Sequence, residues 1–399
     1  MKLRIALLSV TLAGTSFAAD ATNFAEAFTN GKINLNLRLR YEDVAQTGLQ
    51  DADALTLRTR LGFTTAPWLG WKAMLEAEDI RAADGDSYSQ AGINPGGAGK
   101  AVIADPETSE INQAWLAFTT GQTTATLGRQ RLVLDNARFI GDAGWRQDMQ
   151  TFDAFVLQDK TLTKTTLTYA YLQQINRVYG ADHPQGKWAS SSHLFNASYA
   201  GLSAGTLAGY AYLLDFSNSP ANSCATYGAS FAGTTKLSAD VSFTYRAEVA
   251  TQSDYGASPL NYDARYSVLE AGLAWKPATF LLGYEVLGSD HNVGFKTPLA
   301  SLHPFNGWAD LFLSTPATGL RDSYAKATGN LPGECALVAC YHQFDSDAGG
   351  LDFGHELDLS LSRKFGTRVT ALVKYADFQR SGLVYSNVQK IWAQVEFVY

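Results

Sequence analysis

The chain has 399 residues, a formal net charge of −7, 17% charged residues and 46% hydrophobic ones. An acidic balance argues against nucleic acid as a partner. Beyond the first positions no run approaches the ~18 apolar residues that a membrane-spanning helix requires, which excludes that class.

The chain opens with a short basic head, Lys2 and Arg4, then an apolar run over 5–13, then Ser16-Phe17-Ala18. This is the three-part pattern of a secretory signal, with cleavage expected after Ala18. The expected division is therefore a signal peptide over 1–18 and one domain over 19–399. Aromatic residues are plentiful (19 Tyr, 21 Phe, 8 Trp) beside 35 Gly. That mixture suits many strands, tight turns and aromatic belts at two membrane interfaces, although a large soluble β-protein could share it.

The first strand is predicted over 33–43. Ile33, Leu35, Leu37, Leu39 and Tyr41 alternate with Asn34, Asn36, Arg38, Arg40 and Glu42. Successive strand side chains point to opposite faces, so one wall is apolar and the other polar. The second strand, 54–66, places Arg58 and Arg60 on its polar wall, opposite Leu57, Leu61 and Phe63. As hairpin neighbours, Arg38, Arg40, Arg58 and Arg60 form a basic patch. Guanidinium offers carboxylates paired donors in a fixed fork, and nearby Glu42, Glu76 and Glu78 could equally balance it.

Strands follow at 69–81, 111–120 and 123–130. Strict alternation from Leu127 would turn Arg129 toward lipid, which costs about 2–4 kcal/mol at mid-membrane depth. A bulge at Gly128 that redirects Arg129 inward is therefore expected. The next connection, 131–149, carries Arg131, Asp135, Asn136, Arg138, Asp142, Arg146 and Asp148, with Phe139 and Trp145 as wall anchors. Folded into a barrel, such a loop would narrow the lumen and set a transverse field; a purely structural plug is the alternative.

Further strands are expected at 150–159, 163–174, 191–201, 204–216 and 223–233. Gly201-Leu202-Ser203-Ala204-Gly205 matches a hydrolase motif, but it lies in a strand-to-strand turn rather than the strand-to-helix turn that chemistry needs. No catalytic residue is assigned. The clearest alternation runs over 236–249, with Lys236, Asp240, Arg246 and Glu248 on the polar wall.

The remaining strands are 264–276, 278–289, 318–329, 335–345, 354–364, 367–379 and 386–399. They place Glu285 and Lys374 on polar walls. Asp345, Asp347 and Asp352 have the acid spacing of a calcium loop, as Asp84 and Asp86 do more weakly, but no downstream bidentate Glu completes either set. The six histidines are scattered and suggest no metal site. Three cysteines, Cys224, Cys335 and Cys340, give no disulfide framework; Cys335 and Cys340 could pair only if the chain turned between them.

The count is about eighteen strands. Sixteen is the alternative, because 329–333 makes a poor tight turn. Short connections alternate with long polar ones, as in an outer-membrane antiparallel β-barrel with both termini periplasmic. The last strand alternates Ile391, Ala393, Val395, Phe397 and Tyr399 up to an aromatic end. That ending resembles the terminal-strand signal by which outer-membrane barrels are recognised for insertion.

Two longer stretches carry a further resemblance. One is Ile111-Asn112-Gln113-Ala114-Trp115 with Gly128-Arg129-Gln130-Arg131-Leu132-Val133-Leu134-Asp135-Asn136-Ala137-Arg138-Phe139-Ile140-Gly141 and Gly144-Trp145-Arg146-Gln147. The other joins Gly283-Tyr284-Glu285, Thr297-Pro298-Leu299 and Phe305-Asn306-Gly307-Trp308-Ala309-Asp310. Both resemble the alginate export family of outer-membrane proteins. The resemblance implies an 18-stranded monomeric barrel in a Gram-negative outer membrane. It would pass an anionic polysaccharide outward, working with periplasmic secretion proteins.

The expected function is thus a channel for anionic or polar solutes, most sharply export of an acidic polysaccharide such as alginate. The alternative is a nutrient-uptake porin for small polar or anionic solutes. No enzyme and no cofactor is expected, apart from the calcium spacing noted above. The arginines over 38–60 and 129–146, with Arg246 and Lys374, are expected to favour anions despite the acidic whole.

Overall fold

The computed structural model describes residues 20–399, and the expected signal segment over 1–18 lies outside the described residues. Eighteen antiparallel strands form one closed sheet. They begin with β1 (Lys32–Gln46), β2 (Ala52–Thr64), β3 (Trp71–Ala82), β4 (Thr108–Thr120), β5 (Thr123–Gln130) and β6 (Thr151–Asp159). Next come β7 (Thr165–Asn176), β8 (Lys187–Leu202), β9 (Gly205–Leu214), β10 (Cys224–Lys236), β11 (Val241–Asp254) and β12 (Asp263–Trp275). The last six are β13 (Ala278–Leu287), β14 (Leu320–Leu331), β15 (Cys335–Asp345), β16 (Asp352–Phe365), β17 (Val369–Arg380) and β18 (Val388–Val398).

Each strand pairs with its sequence neighbours, and β1 also pairs with β18. Closure matters because lipid offers backbone groups no hydrogen-bond partner. At the seam the Leu35 N–H donates to the Tyr399 carbonyl (3.1 Å) and the Tyr399 N–H donates to the Leu35 carbonyl (2.8 Å). Along β2, Ala52, Ala54, Thr56, Arg58 and Arg60 are buried inward, while Leu55, Leu57 and Leu61 stand exposed on the outer wall. That inversion of a soluble protein's pattern is the mark of a barrel whose outer solvent is lipid.

The count is eighteen rather than sixteen. The doubtful turn closes over Pro332-Gly333-Glu334, with Gly333 at φ 77° and Glu334 at φ 60°. One boundary differs from expectation. Residues 237–240 form the β10–β11 turn, so Asp240 is exposed in that turn and does not line the lumen. The Ser238 hydroxyl accepts from the Asp240 and Val241 N–H groups (3.3 and 3.1 Å), and this local capture overrides a pattern that alternates straight through it. Cys335 and Cys340 lie on one strand with no turn between them, and both are free, as is Cys224.

Connections at one end are short (65–70, 121–122, 160–164 and onward), and those at the other are mostly longer. Four of the longer ones shape the lumen: L2 (83–107), L3 (131–150), L4 (177–186) and L7 (288–319). Before β1, the helix α1 (Phe24–Thr29) is capped by the Asn23 side chain, which accepts from the Glu26 N–H. Its Phe24 and Phe28 meet Trp68 and Phe63 at the short-turn rim.

Candidate functional site

L3 turns into the barrel, and its tip is built on residues forced into the left-handed region: Asp135 (φ 52°), Ala137 (φ 65°) and Ala143 (φ 47°). Such residues persist only where surrounding contacts over-determine them. Asp135 accepts from Asn196 of β8 (2.7 Å). Asn136 stays local, its side-chain oxygen accepting from the Arg138 N–H (3.3 Å). Arg138 forks onto Glu285 of β13 (2.8 and 3.1 Å) and donates to Asn306 (2.9 Å). Phe139 packs among Tyr210, Tyr212, Tyr266 and Phe295. Arg131 pairs with Asp142 within the loop.

The return limb of L3 lies on the four-arginine hairpin. Arg38 donates to the carbonyls of Gly144 and Trp145 (both 3.1 Å). Arg40 donates to the Trp145 carbonyl (2.6 Å) and stacks 4.1 Å over its ring. Arg60 donates to the Gln147 carbonyl (3.0 Å) and pairs with Glu78. Arg58 reaches Asn36 (2.6 Å), Glu396 (3.1 Å) and, at 3.4 Å, the Gln147 carbonyl. The patch is lumenal, but loop carbonyls already occupy much of its donor capacity.

Arg129 departs from expectation. The ladder runs through Gly128 without a slip, opposing Leu127 to Leu116 and Arg129 to Ala114. Arg129 therefore stays on the outward row. Gly128, at φ 120°, serves a close approach instead: a Cβ there would fall 2.3 Å from the Ala114 carbonyl oxygen. Charge on the outer wall is offset locally. Arg129 forks onto Asp153 (2.7 and 3.1 Å) and donates to the Ile111 carbonyl (2.9 Å). Arg246 is lumenal, paired with Glu248 on its own strand and 3.7 Å from Glu270.

Sequence reasoning missed L7, which also enters the lumen and joins L3. The Gly141 N–H donates to the Leu299 carbonyl (2.8 Å), and the Ser301 N–H donates to the Ala137 carbonyl (3.0 Å). The Ala309 N–H donates to Glu356 of β16 (2.7 Å). Arg146 ties the two loops to the wall, reaching Glu42 (3.3 Å) and Asp310 (2.6 Å). Lys374 of β17 ends in a cage: its ammonium lies 3.5 Å from the Trp308 ring centre, 4.3 Å from Trp145 and 5.5 Å from Trp392. L3, L7 and the wall each supply one indole, so one cation holds all three. The legible signal was the run Phe305-Asn306-Gly307-Trp308-Ala309, too apolar for a solvated loop.

Where L2, L3, L4 and L7 meet the ends of β1 and β18, a cavity of about 440 Å³ opens at the long-loop mouth. Arg146, Arg177 and Lys390 line it, with Asp310 as the one acid among its lining residues. Among the described residues no group of three or more His, Cys, Asp or Glu converges as a metal site, Asp345, Asp347 and Asp352 included.

A closed eighteen-strand barrel with lipid outside and charged, loop-narrowed space within defines an outer-membrane porin-type channel of a Gram-negative bacterium. The model of the alginate export family matches residues 30–270, and the chain belongs to that family. No curated protein gives a match. Among solved structures, OccK9 (OpdG) of Pseudomonas aeruginosa superposes with a TM-score of 0.74 at 12% identity, covering 94% of this chain and 100% of its own. OccAB4 of Acinetobacter baumannii gives 0.72 at 13%, covering 92% and 98%. OpdK of Pseudomonas aeruginosa, solved with vanillate, gives 0.70 at 15%, covering 93% and 99%.

Proposed function

We propose that this chain is a monomeric channel for small anionic solutes, a nutrient-uptake porin rather than a polysaccharide exporter. One observation carries the reading: L3 and L7 cross the lumen together and are fixed to it by buried ion pairs. Such a bridge discriminates by size, favouring a solute of one or two rings over a long chain. A polymer would need the bridge withdrawn along its whole path. OpdK, solved with vanillate, is a barrel of this shape seen with a small carboxylate. Membership of the alginate export family favours the second reading, export of an acidic polysaccharide with periplasmic partners. Swelling of proteoliposomes separates the two. Glucuronate is expected to enter and uronate oligomers to be excluded; rapid entry of long oligomers would overturn the proposal.

The mouth is expected to make the channel anion-selective, because steering depends on the charges lining the entrance rather than on the net charge of the chain. Reversal potentials under a KCl gradient should show anion preference, weakened by Lys390→Glu and by high salt. Cation preference in the wild type would refute this.

In this proposal the short turns and both termini face the periplasm. Cys335 opens β15 at the short-turn end and is the more accessible native thiol, whereas Cys224 and Cys340 are buried. A membrane-impermeant maleimide should leave Cys335 unlabelled in intact cells and label it after permeabilisation. Strong labelling of intact cells would invert the orientation.

A further inference from the structure

We propose that the long-loop mouth holds a capture site for a monocarboxylate with an apolar ring, and that Arg177 grips the carboxylate. The inference rests on the reading of the chain as a channel for small anions and names the class of solute it selects.

The cavity of about 440 Å³ falls within the 300–1,000 Å³ or so typical of small-ligand sites. Its three cations are not equivalent. Arg146 and Lys390 both reach Asp310 (2.6 and 3.4 Å), and Arg146 also meets Glu42. Their charge is already matched. Arg177, the first residue of L4, has no carboxylate partner among the described residues. Its guanidinium lies 3.9 Å from the Trp188 ring centre and 4.8 Å from that of Tyr179, and it donates one bond, to the Gln185 carbonyl (3.2 Å). The other in-plane donors remain for a forked acceptor, which a carboxylate supplies.

The setting is rigid, so little ordering is lost on binding. The Trp188 indole donates to the Gln185 side chain (2.9 Å), and the Gln185 N–H donates to His183 (2.9 Å). His183 in turn lies 3.2 Å from the Ala91 carbonyl of L2. One uncompensated cation suits one negative charge. The lining also carries five larger apolar side chains, Val44, Val102, Leu311, Leu313 and Val388, beside the polar Gln46, Gln185 and His183. Against those five side chains a ring covered in hydroxyls would lose hydration, whereas an aromatic or cycloalkane ring would gain from burial.

The test is block of single-channel current by benzoate, cyclohexanecarboxylate and glucuronate added at the long-loop side. Heat-modifiable migration confirms folding of each variant. In the wild type, the two apolar-ring acids should block at lower concentration than glucuronate. Arg177→Met should raise the benzoate concentration needed by about tenfold, the effect of losing one charge-assisted contact of roughly 1.4 kcal/mol. Arg177→Lys should recover part of it. Leu311→Asn should weaken benzoate block while sparing glucuronate. Equal block by benzoate and glucuronate in the wild type would overturn the choice of an apolar ring. Benzoate block untouched by Arg177→Met would overturn the role of Arg177. Both results leave the channel reading intact. Failure of every carboxylate to block or permeate would remove the channel reading as well.

Discussion

Deleting residues 135–144 is expected to raise single-channel conductance several-fold in an intact barrel. The segment contains the whole inward tip of L3, including the Arg138 fork onto Glu285 and the Phe139 anchor. It also contains the carbonyl and N–H through which L7 is joined, at Ala137 and Gly141. Removing it therefore clears one loop and loosens the second. The wall should survive, because β5 and β6 pair with each other along their full lengths independently of the tip. Planar-bilayer recordings of refolded protein give the readout. A correctly folded deletion with unchanged conductance would show that the passage is limited elsewhere.

The second large effect is on stability. Arg138 and Glu285 are almost completely buried, with Tyr266 donating to Glu285 (2.7 Å) and Asn306 donating to it as well (2.6 Å). Arg138→Ala leaves a buried carboxylate without its cation, a change worth about 3–5 kcal/mol of destabilisation. Glu285→Ala strands the cation in the same way. The double variant should lose much less than the two losses added together, since neither charge is left alone. Urea denaturation of the refolded barrel measures all three. Additive losses would show that the pair does not act as a unit.

The strands were legible because each wall of a barrel meets a different medium, so composition alternates residue by residue. The expected elements over 33–43 and 354–364 match β1 and β16 to within a few residues. Alternation was less informative where a local contact decides the matter. Ser238 bends the chain without breaking the pattern, and Arg129 keeps its outward place because Asp153, on the neighbouring strand, meets its charge. The basic hairpin was assigned to the right face. What sequence could not supply was its occupant, since the carbonyls of Gly144, Trp145 and Gln147 reach those arginines across about a hundred residues of chain. The entry of L7 was hidden for the same reason. A loop's direction depends on distant partners, such as Glu356 for Ala309, and no period in the chain encodes them.

The closing seam orders events in time. It joins the first strand to the last, with Asn36 donating to Glu396 across 360 positions. Contacts so remote in sequence form slowest, because the chain between them must be gathered first. The ties that hold L3 and L7 lie on both sides of this seam: Arg38 and Glu42 of β1 hold L3 through Gly144, Trp145 and Arg146, and Lys390 of β18 meets Asp310 of L7. The loops can settle only after the ring exists. A newly inserted molecule should thus conduct freely at first and narrow as it matures.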